Sequence, residues 1–235
     1  NGDGTFSEIG RLAGISNTDW SWAPLFADFD NDGKKDLFIS NGYPRDLTDM
    51  DYIKYKSDEV IKAAGGLDKV KRLDLLNSIE STPIQNYLYK NQGGFKFENK
   101  STNWGLTQKA FSNGAAYADL DLDGDLDLII NNVNSPSFIY RNNTNEITQN
   151  KFLKVAFMGP KGNGKGIGAK VSLSTQNGTQ VLENYMNRGF ESSIEPILLF
   201  GLGESKSILE LVVTWPNGNT ETIKNPQVNQ SITVD

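Results

Sequence analysis

Hydrophobic positions along this 235-residue chain come in short runs separated by Gly, Asn and Asp clusters. The runs Ala23–Ala27, Leu37–Ile39, Tyr87–Tyr89, Leu128–Ile130 and Phe138–Tyr140 have strand length and end at turn-forming residues, a pattern that predicts an all-β architecture. Between Tyr43 and Pro83 the pattern changes. Thr48 followed by Asp51 resembles a capping box, Gly65-Gly66 ends a helix, and Leu67, Val70, Leu73 and Leu76 recur every three residues, so a helical hairpin is expected at about 45–82. From Lys151 onward seven strands are expected, at Phe152–Phe157, Lys170–Ser174, Thr179–Tyr185, Ile197–Phe200, Ile208–Trp215, Thr220–Lys224 and Ser231–Val234, with hairpin signals at Asn177-Gly178 and Asn217-Gly218. They fit a smaller C-terminal β-sandwich. The polar segment 142–151, without apolar period, is expected to be an exposed linker, giving domains at 1–142 and 151–235.

An internal repeat underlies the first region. Phe6 aligns with Phe97, Gly14 with Gly105, Asp28 with Asp119 and Asn41 with Asn132, always at an offset of 91. A constant register over several positions marks a repeated structural unit, and radially arranged four-stranded units would make a propeller.

Each unit carries one Asp-rich loop. DFDNDGKKD places Asp28, Asp30, Asp32 and Asp36 at positions 1, 3, 5 and 9, and DLDLDGDLD places Asp119, Asp121, Asp123 and Asp127 likewise. Alternate residues of a tight loop converge, Gly33 and Gly124 permit the reversal, and the carbonyls of Lys34 and Asp125 at position 7 complete an all-oxygen shell of the kind calcium takes. An EF-hand is excluded, because position 12 is Ile39 or Ile130 instead of a bidentate Glu and strands flank both loops. Without a cation, four carboxylates in nine residues would repel one another. Two Ca²⁺ sites are therefore expected.

Charge supports this. The net charge is −6, from 29 acids and 23 bases. Eight acids stand at positions 1, 3, 5 and 9 of the loops, so the acidity is local. No basic run points to nucleic acid, and no apolar run is long enough to span a membrane. Histidine and cysteine are absent, which excludes imidazole-based triads, the usual zinc sites and thiolate chemistry. GPKGNGK at Gly159–Lys165 fits a phosphate-loop spacing, but Gly166 replaces the magnesium-binding Ser or Thr and a strand, not a helix, is expected after it.

The Asp loops, the flanking F-x₇-G-[IL] segment and the Leu-rich strand that follows resemble FG-GAP (VCBS-type) repeats over roughly residues 1–45 and 85–142, as in the integrin-α propeller; NGDGTF and YLYKNQGGFKF match more loosely. GKGIGAKVSL (Gly164–Leu173), the Glu191–Ser193 triplet, LFGLG (Leu199–Gly203) and VVTWPNG (Val212–Gly218) resemble the ASPIC/UnbV domain. This order is similar to secreted or surface proteins, many from Bacteroidota. The resemblance implies a seven-bladed propeller of which two units are visible, the rest lying outside this chain or coming from a partner. The expectation is an extracellular or cell-surface calcium-binding module for adhesion or for binding protein or polysaccharide, and not an enzyme. The alternatives are a structural component of an outer-membrane complex and a carboxylate-based polysaccharide-degrading enzyme. Of the four tryptophans, a blade-core role is favoured over ligand contact.

Overall fold

The computed structural model describes residues 3–47 and 49–235; Asn1 and Gly2 of NGDGTF, and Thr48, the expected helix cap, lie outside them. The described part of NGDGTF forms no strand, and α1 (Gly10–Ala13) follows, closed by Gly14 in the left-handed region.

The first blade pairs β1 (Ser21–Ala27), β2 (Asp36–Asn41), β4 (Tyr87–Gly93) and β5 (Lys96–Asn99) in that spatial order. The second contains β7 (Ser112–Ala118), β8 (Asp127–Asn132) and β9 (Phe138–Tyr140). A short pair, β3 (Ile84–Gln85) with β6 (Lys109–Ala110), joins the two units. The offset of 91 survives in detail. Ser21 pairs with Asn41 as Ser112 does with Asn132, and the register shifts at the same step, Ser21/Pro24 and Ser112/Ala115. The positive-φ positions repeat too: Gly14 and Gly105, Asn31 and Leu122, Gly33 and Gly124.

The helical hairpin is present but differs from expectation. α2 (Met50–Ala64) is capped by Asp49, whose side chain accepts from the Tyr52 N–H, and ends at Gly65 with φ 78°. The second helix breaks: Leu67–Lys69 is a 3₁₀ turn, Val70 and Lys71 are extended, and α3 covers only Arg72–Ser78. Three-residue spacing suits a 3₁₀ turn as well as an α-helix, so the spacing alone could not separate them. No residue of α2 is buried; the insertion packs mainly on itself.

The C-terminal region is the expected sandwich of seven strands: β10 (Lys151–Phe157), β11 (Lys170–Thr175), β12 (Gly178–Glu183), β13 (Leu198–Gly203), β14 (Glu210–Thr214), β15 (Thr220–Lys224) and β16 (Gln230–Val234). A sheet β13-β10-β16, with β10 and β16 parallel, faces a sheet β12-β11-β14-β15. Val155, Phe200 and Val234 of one sheet meet Val171, Leu173 and Val213 of the other in a closed core, with Trp215 packed on it. Alternate inward residues of two facing sheets are what a sandwich core requires. GPKGNGK turns back on itself, Gly159 N–H donating to the Gly164 carbonyl, and β11 follows without a helix.

The regions are not separated by a free linker. Residues 142–151 include α4 (Thr144–Ile147), and Thr144 is buried. The blade core of Leu25, Phe38, Leu88, Leu128 and Ile130 receives Phe190 and Leu199 from the sandwich region. The expectation of an exposed linker is therefore corrected. Its Asn and Thr side chains, which look solvated in sequence, instead occupy the polar backbone of the Asp loops.

Candidate metal centres

In each loop the position-1 carboxylate braces the turn. Asp28 accepts from the N–H of Asp32 at 3.1 Å and of Gly33 at 2.8 Å, and Asp119 from the Gly124 N–H at 2.9 Å. Gly33 and Gly124 have φ of 90° and 94°, a conformation that disfavours any side chain with a Cβ. The turn gathers Asp28, Asp30 and Asp32, and separately Asp119, Asp121 and Asp123, so that within each trio one oxygen per residue lies within 4.8 Å of the others.

The position-9 carboxylates also hold the loop backbone. Asp36 accepts from Phe29 N–H at 3.1 Å and Asn91 N–H at 2.8 Å; Asp127 accepts from Leu120 N–H and Asn142 N–H, both at 2.8 Å. Asp36 thus clips its loop to β4, and Asp127 clips its loop to the segment that follows β9. At position 7, Lys34 is exposed and pairs with Asp32 at 3.2 Å. Asp125 differs sharply: its side chain is buried, and Oδ2 accepts from the Asn145 N–H at 3.0 Å at the start of α4. The reading that position 7 contributes only a carbonyl leaves this side-chain bond out.

Basic side chains that sequence reasoning missed face both clusters. Lys90 of β4 reaches Asp30 and Asp32. Arg141 lies 2.7 Å from Asp121 and also contacts Asp123 and Glu146. Lys154 of β10 donates to Asp119 Oδ2 at 2.8 Å, with both side chains buried. Burial pushes the Asp28 carboxyl well above the usual carboxylate range, with Asp36, Asp30 and Asp32 adding repulsion. Burial likewise pushes Asp36 and Asp125 each up to about 7. At Asp32 burial acts upward too, but the Lys90 and Lys34 contacts outweigh it and hold the group below its ordinary value.

The site extends into the rest of the molecule through backbone contacts. Asn31 donates to the Gly124 carbonyl at 3.0 Å, tying one loop to the other. Asn142 donates to the carbonyls of Phe29 and Leu126, Thr144 to Phe29, Asn145 to Asp123 and Asn150 to Asp30. From the sandwich, Gly203 N–H donates to the Asn31 carbonyl at 2.8 Å. A Cβ on Gly201 would lie 2.0 Å from Asp28 Oδ2, and one on Gly124 would lie 2.1 Å from the Phe152 ring. Those approaches need glycine. LFGLG and the Asn-rich stretch were the visible signals, although neither says what it touches.

The donor set suits a hard cation. Every candidate ligand is an oxygen, and Asp119 Oδ1 is buried with no hydrogen-bond partner, as is Asp125 Oδ1. An orphaned buried carboxylate oxygen is costly unless a cation satisfies it.

Comparison with known proteins agrees with this architecture. The family described as FG-GAP-like repeat matches residues 1–39, and the family described as ASPIC and UnbV matches residues 159–235. No curated protein matches the chain. β10 precedes the second match yet forms the middle strand of its three-stranded sheet. The second Asp-loop unit, outside the FG-GAP match, keeps the strand limits and turn geometry of the first at an offset of 91. The chain thus matches the FG-GAP-like repeat over residues 1–39 and the ASPIC and UnbV family over its last third.

Proposed function

We propose that this chain is a calcium-stabilised binding module of the extracellular type, without catalysis, in which the Asp loops fix the sandwich against the blades. The observation that carries the reading is the position of the loops. Asp28 lies against Gly201, and Asp119 against Lys154, so both oxygen clusters stand where the two regions meet. Asp28, Asp30, Asp32, Asp119, Asp121 and Asp123 would hold the ions, with the carbonyls of Lys34 and Asp125. Bound calcium supplies charge neutralisation and a preferred spacing of oxygens. The chain's own residues do the rest: Asp36 clips its loop to β4 and Asp127 to the segment that follows β9, and Asn142, Asn145 and Asn150 hold them to the segment that leads into the sandwich.

A non-catalytic role is supported by where the carboxylates go. Those most closely gathered are engaged by backbone N–H donors or basic side chains, and no histidine or cysteine is present to serve instead. FG-GAP repeats typically occur in extracellular or surface proteins, and no helix among the described residues is long and apolar enough to cross a membrane. The test is isothermal titration calorimetry of chelator-treated protein with calcium. Two bound ions per chain are expected, and one in Asp30→Ala or in Asp121→Ala. Absence of binding at millimolar calcium would sink the reading.

A second reading, a component of an outer-membrane surface assembly, is favoured by one observation. The insertion presents Met50, Tyr55, Leu67, Leu73 and Leu76 to solvent. Co-purification of the native protein with a membrane complex, lost on deleting residues 47–82, would support it.

A further inference from the structure

The end of the β1–β2 hairpin opposite its Asp loop carries three aromatic rings. Trp20 precedes β1, Trp22 lies within it, and Tyr43 follows β2. Trp20 and Tyr43 have ring centroids 4.9 Å apart and planes tilted by 32°, while Trp22 stacks on Tyr43 at 6.3 Å and 22°. Trp22 is tied inward: its indole N–H donates to the Gly42 carbonyl at 2.8 Å and its ring meets Phe190 at 4.7 Å. Trp20 and Tyr43 are 42% and 37% exposed. The other two tryptophans, Trp104 and Trp215, pack on cores. The core role favoured from sequence thus suits Trp104 and Trp215; Trp22 is partly buried against Phe190, and Trp20 is exposed.

Two further observations say that this is a built surface. Trp20 is held by strained backbone: Asp19 has φ 66°, its carboxylate accepts from the Trp20 N–H, and the Trp20 carbonyl accepts from the Gly42 N–H. Left-handed backbone at a residue other than glycine costs free energy and persists where the surroundings enforce it. The repeat does not demand the full trio either: at the offset of 91 the second unit has Asn113 in place of Trp22 and Asn134 in place of Tyr43, while Phe111 keeps a ring at the position of Trp20.

Trp20 and Tyr43 border a hollow of about 200 Å³ whose lining also includes Asp19, Arg45, Asp46 and Thr82. Arg45 is fixed by bonds to the Ile79 carbonyl at 3.2 Å and Asn77 Oδ1 at 3.1 Å. Rigid aromatic faces beside a few oriented polar groups suit a ligand with an apolar face and a hydroxylated rim. A pyranose ring has that form. The hollow's formal charge, two carboxylates against one guanidinium, disfavours uronate or sulfated sugars. We propose that Trp20 and Tyr43 form a stacking platform for the hexopyranose rings of a neutral polysaccharide. This names a ligand class for the binding role above and rests on that reading.

The test is affinity electrophoresis of the intact, calcium-loaded chain in gels containing a neutral β-glucan, a neutral galactomannan or polygalacturonate. Retardation by at least one neutral polymer is expected. Trp20→Ala and Tyr43→Ala should each weaken it about tenfold, Trp20→Phe should retain part of it, and the melting temperature of all three variants should stay close to that of the parent. No retardation by either neutral polymer, retardation only by polygalacturonate, or full binding by folded Trp20→Ala would each overturn the platform. Since calcium binding is read by calorimetry without glycan, loss of the platform would leave the calcium reading standing.

Discussion

The two Asp loops share spacing, turn and strand register, yet their neighbours differ. The first is faced by Lys90, which comes from its own blade and remains partly exposed. The second is faced by exposed Arg141 and by Lys154, a buried residue of the C-terminal sandwich. One motif therefore sits in two electrostatic settings. At the first loop, the opposing basic charge belongs to the same sheet. At the second, it belongs to the other half of the molecule, so the state of Asp119 and the docking of the sandwich are linked. A motif specifies its candidate ligands, while the tertiary neighbours specify what occupying it does.

The largest expected effect tests whether the two settings act together. At a hundredfold excess over its Kd, each bound ion should stabilise the fold by about 2.7 kcal/mol. Because the loops are wired to both halves, calcium should shift one cooperative melt of the whole chain. Two transitions in calorimetry, with only the first moved by calcium, would instead restore the independent domains expected from sequence.

Lys154→Ala separates the loops. It leaves the buried Asp119 carboxylate unpaired and should cost about 3 kcal/mol in chelator, measured by urea unfolding. Calcium should recover much of that loss. The corresponding change at the more exposed pair, Lys90→Ala, should cost less than about 1 kcal/mol. Equal costs would erase the contrast.

Position 7 gives a smaller difference. Asp125→Ala removes a buried acceptor from Asn145 N–H and should destabilise by about 1–2 kcal/mol, whereas Lys34→Ala should stay within about 0.5 kcal/mol. A position 7 that contributed its carbonyl alone would give mild effects for both.

A further effect is in pH. Asp36 and Asp125 titrate near 7 in the fold against about 3.9 in an unfolded chain. The folded state then holds more protons between those values. In chelator, stability should accordingly fall as pH rises from about 4 to about 7. A melting temperature that rises over that interval in chelator would contradict burial of these groups.

Much of the fold was legible in the sequence because its information is local. The offset of 91 fixed matching strands and turns, since β-turn chemistry resides in residues such as Gly33 and Gly124 themselves. The trios Asp28, Asp30, Asp32 and Asp119, Asp121, Asp123 were legible for the same reason. What escaped was long-range. Lys90 lies 60 positions from Asp30, and Asn150 lies 120 from it; pairs so distant leave no periodic trace. The stretch Asn142–Lys151 was misread because Asn and Thr look alike in sequence whether they bind water or a buried carbonyl.

The staple formed by that stretch also bears on timing. Bonds that shape each loop, such as Gly33 N–H to Asp28 and Gly124 N–H to Asp119, close over five residues. Those from Asn142 and Asn150 to the first loop close over 113 and 120. Loop-closure entropy grows with separation, and contacts between distant residues are the slow ones in β-rich chains. The turn of each Asp loop is therefore expected to form before the staple reaches the first loop, so that a cation arriving early would meet carboxylates still open to solvent.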